Sequence, residues 1–311
     1  MILATGASGA MGSVLMRGLR ERGHRVRACV LPGDPHAGRI EGFCDDLWRG
    51  DIAHRESIAG ICKNVTTVYH LAAVILSPDE GDFERINVAG TRNLIDEAIK
   101  AGVEHFIYVS SASIVYPNPT PYSLSKKGAE ELVVKSGLNY TIIRPTLVYG
   151  RSGGMEFDKY LDYLKKFPII PFIGGGEALK RPVYVDDIID GLLSVNGNKI
   201  SFGKIYNFSG AEAISMLDFT RLCLLLLGTP QKAVVHLPVA LCRLIAWGMR
   251  FFMNDPPLKW QTIAGITQDA DLDPGPAITD LGYCPAKISE RLPKCFPRNT
   301  GLSAEDASRK K

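Results

Sequence analysis

The sequence predicts an α/β protein: a doubly wound parallel sheet with a smaller, mixed C-terminal lobe. Three observations predict it. Short apolar runs alternate with helix-length segments from the first residue, a glycine-rich turn follows the first run directly, and the rhythm breaks near Gly150. Strand, helix and strand at this pitch close into right-handed βαβ crossovers, which builds a parallel sheet with helices on both faces.

Strands are expected over residues 1–4, 25–31, 66–71, 106–109 and 140–143, and helices over 11–22, 83–101 and 123–136. Leu94, Ile95, Ala98 and Ile99 share one face of the second helix. The unbroken apolar run Phe106-Ile-Tyr-Val109 suits a strand buried on both sides. Residues 1–150 therefore read as the sheet domain and 151–298 as the lobe, with part of the chain returning to the core. Pro168, Pro171 and Gly174-Gly-Gly176 punctuate the lobe, and helices are expected over 219–227 and 240–253. From 299 to 311 the composition turns polar and small, the pattern of a flexible tail.

Composition excludes several classes. The 311 residues carry a net charge of +3 with scattered basic residues, which argues against nucleic acid as a partner. Seven cysteines, an odd count without a CxxC pair, read as reduced and mostly buried thiols rather than a disulfide framework or a metal site. The first residues run straight into a strand, which leaves no room for a targeting segment, so a cytoplasmic location is expected. The apolar stretches 222–227 and 239–253 are too short to span a bilayer, and no stable membrane insertion is expected. Val239, Arg243, Ala246 and Arg250 recur at helical spacing. That two-faced helix is expected to pack on the protein or line a pocket rather than lie on a membrane.

The segment Thr5-Gly6-Ala7-Ser8-Gly9-Ala10-Met11-Gly12 opens the first helix directly after the first strand. Gly6 and Gly9 permit a sharp turn and close approach of a pyrophosphate, and Gly12 permits tight packing of helix on sheet. The helix then offers free N–H groups and the positive end of its dipole to phosphate. The spacing is GxxGxxG rather than GxGxxG, but its place at the head of a βαβ series points to a Rossmann-like dinucleotide site.

This turn resembles that of the short-chain dehydrogenase/reductases. The resemblance continues through Gly50-Asp51-Ile52, Tyr69-His70-Leu71-Ala72-Ala73, Asn87-Val-Ala-Gly90-Thr91-Arg-Asn93, Val109-Ser110-Ser111, Tyr122-Ser-Leu-Ser-Lys126, Arg144-Pro145 and Tyr149-Gly150. Arg181-Pro-Val-Tyr-Val185-Asp186-Asp187 and Leu281-Gly-Tyr283 resemble the extended members, the group of NAD-dependent epimerases/dehydratases and 3β-hydroxysteroid dehydrogenases. It implies NAD or NADP held by Gly6, Ala7, Ser8, Gly9, Ala10, Met11, Gly12, Asp51, Ile52, Leu71, Ala72, Ala73, Asn87, Val109, Tyr122, Lys126 and Pro145. It also implies a small-molecule substrate met by Ser111 and by Arg181 as a phosphate-facing arginine, and a homodimer through the helices over 83–101 and 123–136.

Tyr122 and Lys126 lie four apart and so share a helix face. A nearby ammonium favours phenolate, which suits a tyrosine to exchanging a proton with a carbonyl or hydroxyl oxygen as hydride moves. Ser111 follows a strand end, where open α/β sheets place their ligands, although Ser110 and Ser113 compete for its role. No GxSxG elbow surrounds these serines, which disfavours serine-hydrolase chemistry.

Two features depart from the extended pattern. Only ten residues separate Ser111 from Tyr122, including the stretch Pro117-Asn-Pro-Thr-Pro121, so one wall of the substrate pocket is expected to be short. The second strand ends in Cys29-Val-Leu-Pro32, with Asp34 slightly late and Arg39 later still, which leaves NAD against NADP open. Hydride transfer at a secondary alcohol or ketone is the expected chemistry, on a nucleotide-sugar or a hydroxysteroid- or flavonol-like substrate. Dehydration is the least favoured outcome, because Ala112-Ser113 lacks an acidic pair. A catalytically silent nucleotide-binding scaffold or redox-sensing subunit is the alternative, and retention of both Tyr122 and Lys126 weighs against it.

Overall fold

Seven parallel strands form the central sheet in a computed structural model that describes residues 1–150, 155–249, 251–253, 256 and 258–296. They are β1 (Ile2–Thr5), β2 (Val26–Val30), β3 (Asp46–Arg49), β4 (Thr67–His70), β5 (His105–Val109), β6 (Tyr140–Pro145) and a strand over Lys204–Phe208. The spatial order is Lys204–Phe208, β6, β5, β4, β1, β2, β3. The chain leaves β1 for β2 on one side and reaches β4 on the other, which makes the β1–β4 boundary the topological switch point. Open α/β sheets bind ligands in the crevice at that point.

All five expected strands and all three expected helices of the first half form, with ends within about two residues, the usual uncertainty of helix and strand boundaries. The helices are α1 (Ala10–Glu21), α2 (Gly90–Ala101) and α3 (Pro121–Lys135). One correction concerns the long second helix, whose first seven residues, Phe83–Ala89, wind as a π-helix. Two strands were not located from sequence. β3 is a polar edge strand, and Lys204–Phe208 is where the chain beyond 150 returns to the core, as expected without a position, and pairs with β6.

Each face of the sheet has its own apolar layer. Leu15, Met16 and Leu19 of α1 pack with Ile188, Ile189 and Leu192 over one face. Leu94, Ile95 and Ala98 of α2 with Ala129 and Val133 of α3 cover the other. Thr120 caps α3 in a reciprocal capping box with Ser123, and Pro121 occupies the first turn. This satisfies end donors and fixes where the helix starts, one residue before Tyr122.

Beyond Gly150 the chain builds α4 (Met155–Lys166), α5 (Val185–Val195), α6 (Met216–Leu226), α7 (Val239–Met249) and α8 (Trp260–Thr267). Of these α5 packs against α1 beside the sheet, whereas α4 and α6 enclose a separate core of Phe157, Leu161, Leu164, Phe219 and Leu224. Short pairs tie the lobe together: Ile170–Ile173 with Val234–Leu237, and Leu179–Lys180 with Ile214–Ser215. The tail expected over 299–311 lies outside the described residues. No described helix is long and apolar enough to cross a membrane. The cysteines are unpaired; Cys29, Cys62, Cys223 and Cys242 are buried, and burial pushes the Cys29 and Cys62 thiols up to about 12.

Candidate active site

The glycine turn lies at the switch point. Gly6 takes φ +67°, and a Cβ there would stand 2.7 Å from the Ala72 nitrogen on the chain leaving β4. At Gly12 a Cβ would lie 2.1 Å from the Gly6 carbonyl oxygen. A side chain at either position would push the turn off the sheet edge. No side chain caps the amino end of α1, and its first turn holds no acidic residue, so the N–H groups there are left for a ligand. These features fit the pyrophosphate of a dinucleotide. Ala7, Ser8, Gly9, Ala10 and Met11 form the rest of this loop and the first turn of α1, opposite Leu71, Ala72 and Ala73.

Asp34 reaches this turn by a route that its sequence position conceals. After β2 the chain reverses through Leu31-Pro32-Gly33-Asp34, with the Asp34 N–H donating to the Leu31 carbonyl at 3.2 Å and Gly33 at φ +74°. Proline then glycine at the centre is the pattern of a type II turn. The reversal offsets the three-residue delay, and the Ser8 hydroxyl donates directly to the Asp34 carboxylate. Burial works against that carboxylate, but the hydrogen bonds from Ser8 and His36 and the charges of His36 and Arg39 outweigh it and hold the group below its usual range. On the far side, Asp51 binds the Ala53 N–H at 2.9 Å, and Asn93 of α2 donates to the Ile52 carbonyl at 2.9 Å.

A chain of hydrogen bonds connects the turn to the catalytic candidates. Thr91 donates to the Asn87 carbonyl at 2.6 Å, so its oxygen accepts from Nε2–H of His70 at 2.8 Å. The other ring nitrogen, Nδ1, then accepts from the Thr5 hydroxyl at 2.7 Å, and Thr5 accepts from the Ala72 N–H at 3.3 Å. Burial lowers the His70 pKa to about 3, with Lys126 adding to the effect, so the ring is neutral. Asn87 is saturated: it accepts from the Val74 N–H at 2.8 Å and donates to the Val74 carbonyl at 3.0 Å and to Ser125 at 2.9 Å. It thus positions rather than reacts, clasping the segment after β4 to α3 beside Lys126.

Lys126 is 2% exposed. Its ammonium donates to the Val109 carbonyl at 2.8 Å and stands 4.3 Å from the centre of the Tyr108 ring. Burial pulls its pKa down to about 7, with Glu130 opposing. Glu130 lies one turn further along α3 and takes a two-pronged bond from Arg144 of β6 at 3.0 and 2.6 Å, which locks the helix to the sheet. Tyr122 lies one turn before Lys126, partly buried, with its ring edge-on to Phe83 at 6.3 Å. Ser111 leaves β5 and caps the short 3-10 turn Ala112–Val115, its oxygen 2.9 Å from that of Ser113. Ser110 is buried with no partner for its hydroxyl among the described residues. Pro145 closes β6 opposite Phe208.

On the lobe side the guanidinium of Arg181 is engaged by Asp271 and, at 3.2 Å, by the Ala211 carbonyl. Its buried neighbour Lys180 meets the Ser111–Tyr122 connection instead, donating to the Tyr116 hydroxyl at 3.3 Å and to the Gln268 carbonyl. The Gln268 amide pairs twice with the Asn118 main chain, at 2.7 and 2.8 Å. The short connection is therefore covered by the lobe. Sequence reasoning weighed Asp34 without placing it and quoted His70, Thr91 and Arg144 only within motifs, while Glu130 and Lys180 are the contributors it passed over. Of all these, only Asp34 had a readable signal for its placement, the Pro32-Gly33 dipeptide.

Comparison with known proteins agrees with this geometry. Residues 2–208 match the family described as the NAD dependent epimerase/dehydratase family. A 3β-hydroxysteroid dehydrogenase/Δ5→4-isomerase of Mycobacterium tuberculosis is 26% identical over 97% of this chain and 90% of that protein. A UDP-glucose 4-epimerase of Vibrio cholerae is 26% identical over 82% of this chain and 83% of its own length. Among solved structures, a dTDP-glucose 4,6-dehydratase from Streptomyces venezuelae with NAD bound superposes with a TM-score of 0.76 at 22% identity, covering 94% of this chain and 95% of that one.

Proposed function

The chain belongs to the NAD dependent epimerase/dehydratase family, and from that premise we propose that it oxidises or reduces a secondary alcohol or ketone on an apolar, hydroxysteroid-like substrate. It is an enzyme of the NAD-dependent oxidoreductase and epimerase type, and the scaffold alternative is not favoured. One observation carries the reading of the chemistry: the buried Lys126 ammonium, held on the Val109 carbonyl one turn from Tyr122, at the sheet edge that carries the glycine turn.

A nicotinamide held at that edge would supply the hydride chemistry. The glycine turn and the amino end of α1 hold the pyrophosphate, and Asp34 meets the adenosine ribose, where its charge opposes the 2′-phosphate of NADP and supports NAD. An ammonium has three N–H donors, so Lys126 retains two beyond its bond to Val109 for ribose hydroxyls. The Tyr122 hydroxyl gives its proton to the substrate oxygen during reduction and is left as phenolate, and in oxidation the phenolate takes the proton of the substrate hydroxyl, while Ser111 orients that oxygen.

Two observations favour the apolar substrate. The mycobacterial hydroxysteroid dehydrogenase aligns along nearly the whole chain. Arg181, the expected phosphate contact of a nucleotide-sugar, is already paired with Asp271. The test is to follow nicotinamide absorbance with NAD across hydroxysteroids, simple secondary alcohols and nucleotide-sugars, using wild type and Tyr122→Phe in parallel. Turnover of a hydroxysteroid that drops by at least about a hundredfold in the variant, with nucleotide affinity retained, is expected. Turnover confined to nucleotide-sugars would reject the substrate class, and an active Tyr122→Phe enzyme would reject the mechanism.

A further inference from the structure

Helix α7 packs on the protein by only one of its two faces. The pattern called for packing or a pocket lining, yet only Cys242 and Ala246 of this helix are buried, against Ile173 and Ile263 of the lobe. Its large apolar side chains point outward. Leu244 is 62% exposed, Trp247 60%, Phe251 68% and Phe252 89%, with Leu241, Ile245 and Met253 also exposed. Trp247 and Phe251 meet edge to face at 5.0 Å, so the outer surface is a continuous aromatic patch rather than scattered residues. Isolated exposed apolar residues are ordinary, whereas a patch of this kind marks an interaction surface.

The stretch of chain that carries the patch is poor in acidic residues, although Asp218 answers Arg221 at 3.5 Å and Asp162 answers Lys165 at 3.2 Å. From residue 219 to residue 254 the sequence holds no aspartate or glutamate, but it does hold Arg221, Lys232, Arg243 and Arg250. Arg243, exposed on α7, lies over the Trp260 ring at 4.6 Å. Lys232 is fastened to the Leu164 and Lys165 carbonyls at 2.7 and 3.0 Å, beside the exposed Lys165 and Lys166. A short helix that presents aromatic and aliphatic side chains, with the exposed Arg243 as its one charged residue, is suited to the headgroup boundary of a membrane carrying negative charge. The segment after Phe296 is no rival occupant, since Leu302 is its one large apolar residue.

We propose that α7 and the turn Phe251-Phe252-Met253 dock the enzyme peripherally on an anionic phospholipid bilayer, without spanning it. The proposal does not depend on which alcohol the enzyme turns over. The purified full chain is floated with phosphatidylcholine vesicles prepared with and without phosphatidylglycerol, at low and high salt. Flotation with the anionic vesicles is expected, weakened by salt, and weakened by roughly tenfold or more in a Phe251→Ser/Phe252→Ser variant. Both side chains are exposed, so the variant should keep its circular dichroism and its turnover of soluble substrate. A vesicle-dependent blue shift of tryptophan fluorescence should vanish in Trp247→Phe, which leaves Trp48 and Trp260 in place. Absence of flotation, equal flotation of the double variant, or a dimer in sedimentation that the same substitutions dissolve would each overturn the proposal. Equal binding to uncharged vesicles would overturn the requirement for anionic lipid.

Discussion

The ammonium of Lys126 donates to the main-chain carbonyl of Val109 at 2.8 Å, across the boundary between α3 and the end of β5. Burial holds this lysine near 7 in the folded chain, against 10.5 ordinarily. Between those values the unfolded chain binds a proton that the folded chain does not, so stability without cofactor rises with pH across the window and is lowest below it. Urea unfolding as a function of pH should show this rise in wild type and a flatter curve in Lys126→Met. The variant should also bind nucleotide more weakly. An unchanged slope would mean that Lys126 stays charged throughout.

Asp34 should govern the choice of cofactor. Asp34→Asn removes the charge facing the 2′ position and should raise NADP affinity relative to NAD by about tenfold, or about 1.4 kcal/mol. Ser8→Ala, which releases the carboxylate without neutralising it, should weaken NAD binding with little gain for NADP. Titration calorimetry with both nucleotides on both variants separates these effects.

The contrast between Asp34 and Lys126 shows where sequence was legible. Spacing along one element is readable, and so Tyr122 and Lys126 were placed on one helix face and α3 was found. Contacts that depend on how two elements meet were not readable. The Glu130–Arg144 clasp joins residues fourteen apart across α3 and β6, and the Gln268–Asn118 pair spans 150 positions. β3 escaped because an edge strand need bury little: Asp46 spends its side chain on Arg27 at 2.6 Å instead of the core. A return of the chain to the core was expected but not located at Lys204–Phe208, because a strand that returns to the sheet after a long excursion carries no local mark of its partner. The outward face of α7 was not assigned for a similar reason, since periodicity finds the two faces of a helix without saying which one meets protein.

His70 should be a structural hinge point rather than a proton carrier. Its ring is neutral down to about 3 in the fold, against 6.5 ordinarily, so the unfolded chain takes up a proton first as pH falls between those values. Stability should therefore decline with falling pH across that window. His70→Phe removes this component, leaves the Thr5 hydroxyl proton without its acceptor and takes away the donor to Thr91, at a cost of about 2 kcal/mol at neutral pH. Urea midpoints at neutral and mildly acidic pH check both statements.

Three serines compete to orient the substrate oxygen, and substitution can rank them. Ser111 leaves the strand at the ligand edge, but its oxygen already accepts the Ser113 N–H at 3.1 Å and lies 2.9 Å from the Ser113 hydroxyl. The two hydroxyls form one unit, so Ser113 can donate to Ser111 and leave the Ser111 proton for substrate. Ser111→Ala should then lower kcat/KM by about a hundredfold, the scale of losing a hydrogen bond formed mainly in the transition state. Ser113→Ala should lower it by about tenfold at most, since it removes only the supporting donor. Ser110→Ala deletes a buried hydroxyl that has no partner among the described residues, and should leave turnover and stability within about twofold and 0.5 kcal/mol of wild type. Steady-state kinetics on the three variants, with nucleotide affinity measured alongside, decide the ranking. A larger loss at Ser113 than at Ser111 would reverse the assignment.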